Sequence, residues 1–352
     1  MSLRDRLAAE ITQTGPMTVA QYMTACLHDP DFGYYATRPA LGEDGDFITA
    51  PLISQMFGEL IGVWAISAWR AMGAPEAFVL VEIGPGDGTL MSDLLRAGQL
   101  SSAFLAAADV WLVETSAPLA ARQRERLGDA VRWTTTLNEV PGGLPILLIA
   151  NELLDCLPAR QFLRSVTGWA EQVVGLDKNG ALGFGLVPAS DDLPDARDGV
   201  VLERSGPQEA LGAALGERLG RDGGAALLID YGRSEPGVGD TLQALRRHEK
   251  VDPLACPGQA DLTVHADFPA VMAAARTTGA LAAILTQAAF LARLGIGERA
   301  EALVRARPDK AALIGRQLNR LVGGDQMGQL FKACCLYSPG WTPPAFEDAV
   351  EP

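Results

Sequence analysis

Twelve consecutive residues, Val79-Leu80-Val81-Glu82-Ile83-Gly84-Pro85-Gly86-Asp87-Gly88-Thr89-Leu90, constrain the fold more than any other stretch of the chain. An apolar run long enough for one buried strand meets Gly84, Gly86 and Gly88 at alternate positions, and a helix can open at Thr89. Glycine takes positive φ without steric cost and lets a ligand approach the backbone closely. A strand that feeds such a turn and then a helix is the nucleotide-binding corner of open α/β sheets. The remainder of the chain keeps the same rhythm. Val110 to Val113, Ile146 to Ala150 and Ala225 to Ile229 are short apolar runs alternating with amphipathic stretches. Such runs read as strands buried on both faces. Their alternation with helices predicts a doubly wound, mostly parallel α/β sheet.

The details of the turn narrow the ligand. A dinucleotide fingerprint, G-x-G-x-x-G, needs a glycine where Thr89 stands, which disfavours a nicotinamide dehydrogenase. Glu82 lies two positions before Gly84, giving acid-x-Gly-x-Gly-x-Gly. That pattern suits S-adenosylmethionine (SAM), whose amino-acid moiety replaces the pyrophosphate. A purely structural tight turn is the alternative. Val110-Trp111-Leu112-Val113-Glu114 then supplies a second strand ending in an acid, the position that accepts from ribose hydroxyls. A solvated strand-end glutamate is the plainer reading of Glu114. Asn138 follows the expected third strand, where an adenine ring is commonly enclosed, and Asn151 directly follows the fourth. Glu82, Gly84, Gly86, Gly88, Glu114, Asn138 and Asn151 are therefore the candidate cofactor contacts.

Outside these strands, residues 1–75 read as a helical cap or lid. Ser2 and Asp5 cap a helix carrying Leu3, Leu7 and Ile11, and Thr18 with Gln21 forms a capping box for the next. After Pro51, Phe57, Leu60, Ile61, Trp64, Ala68 and Met72 fall on one helical face. Residues 76–338 are expected to form the core, with a hairpin inserted at about 160–200 and helices at about 287–324. Leu330 to Tyr337 reads as a late strand running antiparallel beside one around Leu281 to Thr286. Residues 339–352, rich in proline at their start, are expected to be a mobile tail.

Composition bounds the partners. Lys and Arg number 29 against 43 Asp and Glu, a formal charge of −14, so a nucleic-acid backbone is a poor match. The five cysteines have no C-x-x-C spacing, which fits a reducing, cytoplasmic setting. Three histidines without ligand spacing give no metal site. No run of 18 apolar residues offers a membrane span.

Several further stretches carry a family resemblance. They are Gly33-Tyr34-Tyr35, Gly45-Asp46-Phe47-Ile48-Thr49, Ser54-Gln55-Met56-Phe57-Gly58-Glu59, Glu82 to Gly88, Ala150-Asn151-Glu152-Leu153-Leu154-Asp155-Cys156-Leu157-Pro158, Ile229-Asp230-Tyr231-Gly232 and Asp261 to Phe268. In that order the chain resembles the MidA-like class I methyltransferases, whose mitochondrial members help assemble respiratory complex I. The resemblance implies SAM as cofactor and methylation of a protein substrate at arginine, in a subunit of the NADH:quinone oxidoreductase. A non-catalytic SAM-binding assembly factor is the competing class, because a fold does not establish chemistry.

An arginine target sets a requirement. Its guanidinium stays protonated and is a poor nucleophile, so carboxylates must orient it and draw charge from the attacking nitrogen. Candidates belong at the carboxyl ends of the sheet strands. Glu152 and Asp155 follow the fourth strand and can share a face if a helix begins there, and Asp230 ends the fifth. For Glu152 the plainer role is a charge at a helix N-terminus, and for Asp155 a turn carboxylate. Asp261, His265 and Asp267 read as a loop network, and Cys334-Cys335 as packing. Asp46 and Thr49 are the candidates for a lid over the pocket.

Overall fold

The computed structural model describes residues 2–37, 49–189 and 193–349. Contacts divide the chain into two compact units. One comprises Met1–Phe47, Leu154–Glu209 and Glu235–Asp267, and the other Ile48–Leu153, Ala210–Ser234 and Phe268–Pro352. The helix Gln55–Ala71 therefore belongs with the sheet that follows it rather than with a cap ending at residue 75. The reason is packing: Phe57, Ile61, Trp64 and Ala65 join one apolar cluster with Phe78, Leu80, Leu147 and Leu227.

The unit containing Ile48–Leu153 is built on one sheet. Its strands are β1 (Phe78–Ile83), β2 (Ala108–Val113), β3 (Arg132–Thr134), β4 (Ile146–Asn151), β5 (Gly224–Arg233), β6 (Leu281–Thr286) and β7 (Phe331–Tyr337). They lie in the order β6-β7-β5-β4-β1-β2-β3. β1 pairs in parallel with β2 and β4, and β4 in parallel with β5. β7 runs antiparallel to both β5 and β6, which is the late reversal read from the sequence. Leu80, Leu147, Leu148, Ala226 and Leu227 are all fully buried, as strands covered by helices on both faces require. The expected class I methyltransferase sheet, with its helical insertion between β6 and β7, is present.

The tail corrects an expectation. Residues 339–349 are packed, with Phe346 buried against Phe290 (ring centroids 5.5 Å apart) and Ala345 buried beside it. Trp64 Nε1 donates to the Pro344 carbonyl (3.2 Å) and an Arg293 N–H to that of Ala345 (2.7 Å). Proline density suggested mobility, but two aromatic residues nearby, Trp341 and Phe346, reward ordering by burial.

The other unit holds a five-stranded sheet. Met17–Thr18, Gly168–Leu176, Arg160–Ser165 and Val201–Arg204 lie in that order, and Leu182–Pro188 also pairs with Gly168–Leu176. The anticipated hairpin is thus part of a larger sheet. A three-stranded sheet, Glu249–Val251, Gln243–Arg246 and Asp261–Thr263, occupies a region that reads as loop in sequence. Such short strands carry too few residues to show a period. Both N-terminal capping boxes form, Ser2 with Asp5 and Thr18 with Gln21, and their helices bury Leu7, Tyr22, Met23 and Leu27.

Candidate active site

The carboxyl ends of β1, β2, β4 and β5 bring most of the candidate residues into one row. After β1 the chain turns through Gly84, Gly86 and Gly88 at φ of 64°, 56° and 81°. All three lie in the left-handed region, so the glycines answer a conformational demand. The Gly88 N–H closes the turn on the Pro85 carbonyl (2.8 Å), and the Asp87 carboxylate accepts from the Thr89 N–H (3.0 Å) where the helix Thr89–Gly98 begins. At Gly84 an added Cβ would come within 3.1 Å of the Leu153 side chain.

Glu82 is buried at the end of β1, and its Oε2 has no partner. Burial pushes its carboxyl up to about 8, and the nearby Asp87 charge adds to the rise. Asn151, at the end of β4, donates through Nδ2 to Glu152 Oε1 (3.0 Å) and leaves Oδ1 buried without a partner. Buried polar atoms without partners are costly and uncommon. Both oxygens can accept, and a ligand bearing an ammonium group would satisfy them by donating.

Glu114, at the end of β2, is partly buried, and burial raises its carboxyl above the ordinary value. The Ser116 N–H (2.7 Å) and Gln123 Nε2 (3.0 Å) oppose that rise by donating to it. Its position suits ribose hydroxyls, which can donate to a carboxylate already fixed in place. The acceptors, the glycine turn and the strand-end acid together fit the amino-acid and ribose portions of SAM. Asn138 sits on a short 3-10 turn, Leu137–Glu139, and is exposed.

Glu152 follows β4 with a φ of 53°, a left-handed conformation that is uncommon outside glycine. Its N–H donates to the Ile229 carbonyl of β5 (2.8 Å), and its Oε1 accepts from the Ala50 N–H (3.1 Å) and from Asn151. Strained backbone of this kind costs about 1–3 kcal/mol and collects at functional positions. Asp230 is buried within β5, just past the last residue paired with β4, and accepts from the Tyr231 N–H (2.8 Å).

No helix forms over Glu152 to Asp155, so the two acids are not neighbours on a shared helical face. The left-handed residue stops helical continuation, and Pro158 follows closely. Asp155 is buried in the other unit, where its carbonyl accepts from the Val264 N–H (2.9 Å). There Asp261 accepts from the Tyr35 hydroxyl (2.9 Å), while the N–H groups of His265 and Asp267 donate to Thr241 and Gln208. Of the lid candidates, Asp46 lies outside the described residues. Thr49 precedes the short helix Ala50–Ile53 without a side-chain cap.

Sequence reading missed Gln123, which is buried on the helix Ala117–Leu127. Its amide reaches both the Gly86 carbonyl (2.8 Å) and Glu114. Gly86 lies 37 residues away along the chain, beyond any local pattern.

Residues 60–286 match the S-adenosyl-L-methionine-dependent methyltransferase family. The mitochondrial protein arginine methyltransferase NDUFAF7 of Danio rerio is 34% identical over 373 residues, covering 94% of this chain and 86% of that protein. The Homo sapiens protein is 36% identical over 341 residues, covering 85% and 74%. A structure from Burkholderia thailandensis with S-adenosylhomocysteine bound shares 29% identity at a TM-score of 0.88, covering 99% of this chain and 95% of its own. With the family's model matching most of the chain and relatives matching along most of its length, the chain belongs to the family of S-adenosyl-L-methionine-dependent methyltransferases.

Proposed function

We propose that this enzyme methylates an arginine side chain of a protein, with Glu152 and Asp230 holding the target guanidinium. The observation that carries the reading is the strained Glu152, held at the end of β4 against β5 by the Ile229 carbonyl. The relatives named as protein arginine methyltransferases support the choice of arginine.

Bound SAM supplies a methyl group activated by its positive sulfur. The protein must supply orientation and charge. Glu152 and Asp230 can accept N–H bonds from a planar guanidinium, which orients the fork and draws its charge from the nitrogen that attacks. Forming the N–C bond breaks the S–C bond and yields neutral S-adenosylhomocysteine. The methylated nitrogen loses one proton, for which either carboxylate is a suitable acceptor.

The related proteins are named mitochondrial. We place this chain in the cytoplasm, on the strength of five free cysteines, and infer that its substrate is a subunit of the NADH:quinone oxidoreductase. Among the described residues, no helix is long and apolar enough to cross a membrane. Transfer of labelled methyl from SAM into a cell extract tests this reading. Glu152→Gln keeps an amide oxygen for the Ala50 N–H, so it should retain SAM affinity and melting temperature. Its transfer rate should fall by about a hundredfold or more, as loss of a transition-state contact predicts. Retained turnover removes Glu152 from the mechanism. Label on a non-arginine residue overturns the substrate assignment, and the absence of any labelled protein favours a non-catalytic assembly role.

A further inference from the structure

Every polar atom of one fully buried side chain is engaged where the glycine turn meets the strand-end acid. Gln123 Nε2 donates to the Gly86 carbonyl (2.8 Å) and to Glu114 Oε2 (3.0 Å). Its Oε1 accepts from Trp133 Nε1 (3.0 Å) on β3. An indole N–H can only donate, so the amide has one orientation: oxygen toward Trp133, both N–H groups toward the turn and the acid. The Arg124 guanidinium lies over the Trp133 ring, 5.0 Å from its centre. Packing reinforces the polar contacts, because a Cβ added at Gly88 would lie 3.4 Å from Gln123 Cγ.

We infer that Gln123 is a positioning residue for the cofactor site, setting the glycine turn and the Glu114 carboxylate at a fixed separation through one amide. The inference rests on the cofactor lying against Gly84 to Gly88 with its ribose on Glu114. A ligand that touches both turn and carboxylate binds best when neither has to move. Without the amide, the Gly86 carbonyl and Glu114 would present like partial charges to each other with nothing between them. A buried amide whose three polar contacts are all made also cannot rotate to a second arrangement without breaking them.

Gln123→Met preserves length and removes all three hydrogen bonds. Folded Gln123→Met should bind SAM about tenfold more weakly, the scale of one to two net hydrogen bonds. A second readout separates positioning from mere stability. The Gln123 donor favours the charged form of Glu114, so its loss should move the low-pH decline in SAM affinity to higher pH. Glu114 acts through space on Glu82 of β1, and the Asp87–Arg126 pair (2.9 Å) flanks the same turn. All of these groups remain in the variant and keep their contribution.

The measurement is calorimetric SAM affinity from pH 5 to 8 for wild type, Gln123→Met and Glu114→Gln. Weakened binding with a displaced acid limb supports the inference. An unchanged affinity and pH profile in folded Gln123→Met overturns it while leaving the cofactor placement intact. Unaltered affinity in Glu114→Gln instead removes the placement, and the inference with it. If Gln123→Met does not fold, Trp133→Phe decides: it frees the amide oxygen and should weaken SAM binding by roughly threefold, from one lost hydrogen bond. An unchanged affinity there overturns the role.

Discussion

Glu82 has two faces. Its backbone continues β1, while its buried carboxyl sits among the Asp87 and Glu114 charges and is pushed up to about 8 from an ordinary 4.5. Between those values the folded protein holds this proton more tightly than the unfolded chain does. Stability must therefore fall as pH rises through that window, since the native state binds more protons. The whole shift corresponds to roughly 5 kcal/mol. Glu82→Gln removes this contribution without changing shape. Melting curves of the ligand-free protein from pH 5 to 8 should show wild type losing stability with rising pH relative to Glu82→Gln. Parallel curves would mean that Glu82 ionises normally. Glu114 carries less of this burden, because Gln123 and the Ser116 N–H both favour its charged form.

The pair of helices Gln55–Ala71 and Thr89–Gly98 shows how an element far from the turn can hold it. They approach so closely that a Cβ at Gly58 would lie 2.5 Å from Asp93 Cβ, and one at Gly62 would lie 2.7 Å from Ala97 Cβ. Beside this contact Glu59 accepts from Arg299 (2.8 Å) and Arg96 (3.0 Å), and Arg96 also pairs with Asp93. Both arginines stay partly solvated, which weakens these pairs, so the close packing is the main constraint. The helix Thr89–Gly98 starts directly at the glycine turn, and its position sets where that turn points. Gly58→Val should cost about 1–3 kcal/mol through overpacking. It should also weaken SAM binding, although Gly58 lies outside the turn. Denaturant unfolding and calorimetry on the same preparation test both effects. Full stability would show that the helices can separate without strain.

For the molecule as a whole, ligand choice is the measurable consequence of the turn. SAM and S-adenosylhomocysteine at about a hundredfold excess over Kd should each stabilise the fold by about 2.7 kcal/mol, and NAD should not. A thermal-shift series with the three compounds checks this, and stabilisation by NAD alone would contradict the site. Much of that site was legible beforehand for a physical reason. Buried parallel strands are apolar runs, left-handed turns select glycine, and helix starts select Ser and Thr. Each is a local demand met by local residues, so the apolar strands, the turn and the caps could all be read from the chain. The Glu152 conformation, the packed tail around Phe346 and the Gln123 amide could not be read in that way. Each depends on groups distant in sequence: the Ile229 carbonyl, the Phe290 ring, the Gly86 carbonyl. Sequence by itself determined which segments form strands, turns and helices, because those choices are settled within a few residues. Which buried polar atoms meet, and which are left open for a ligand, was decided only when the sheet assembled and brought its strand ends together.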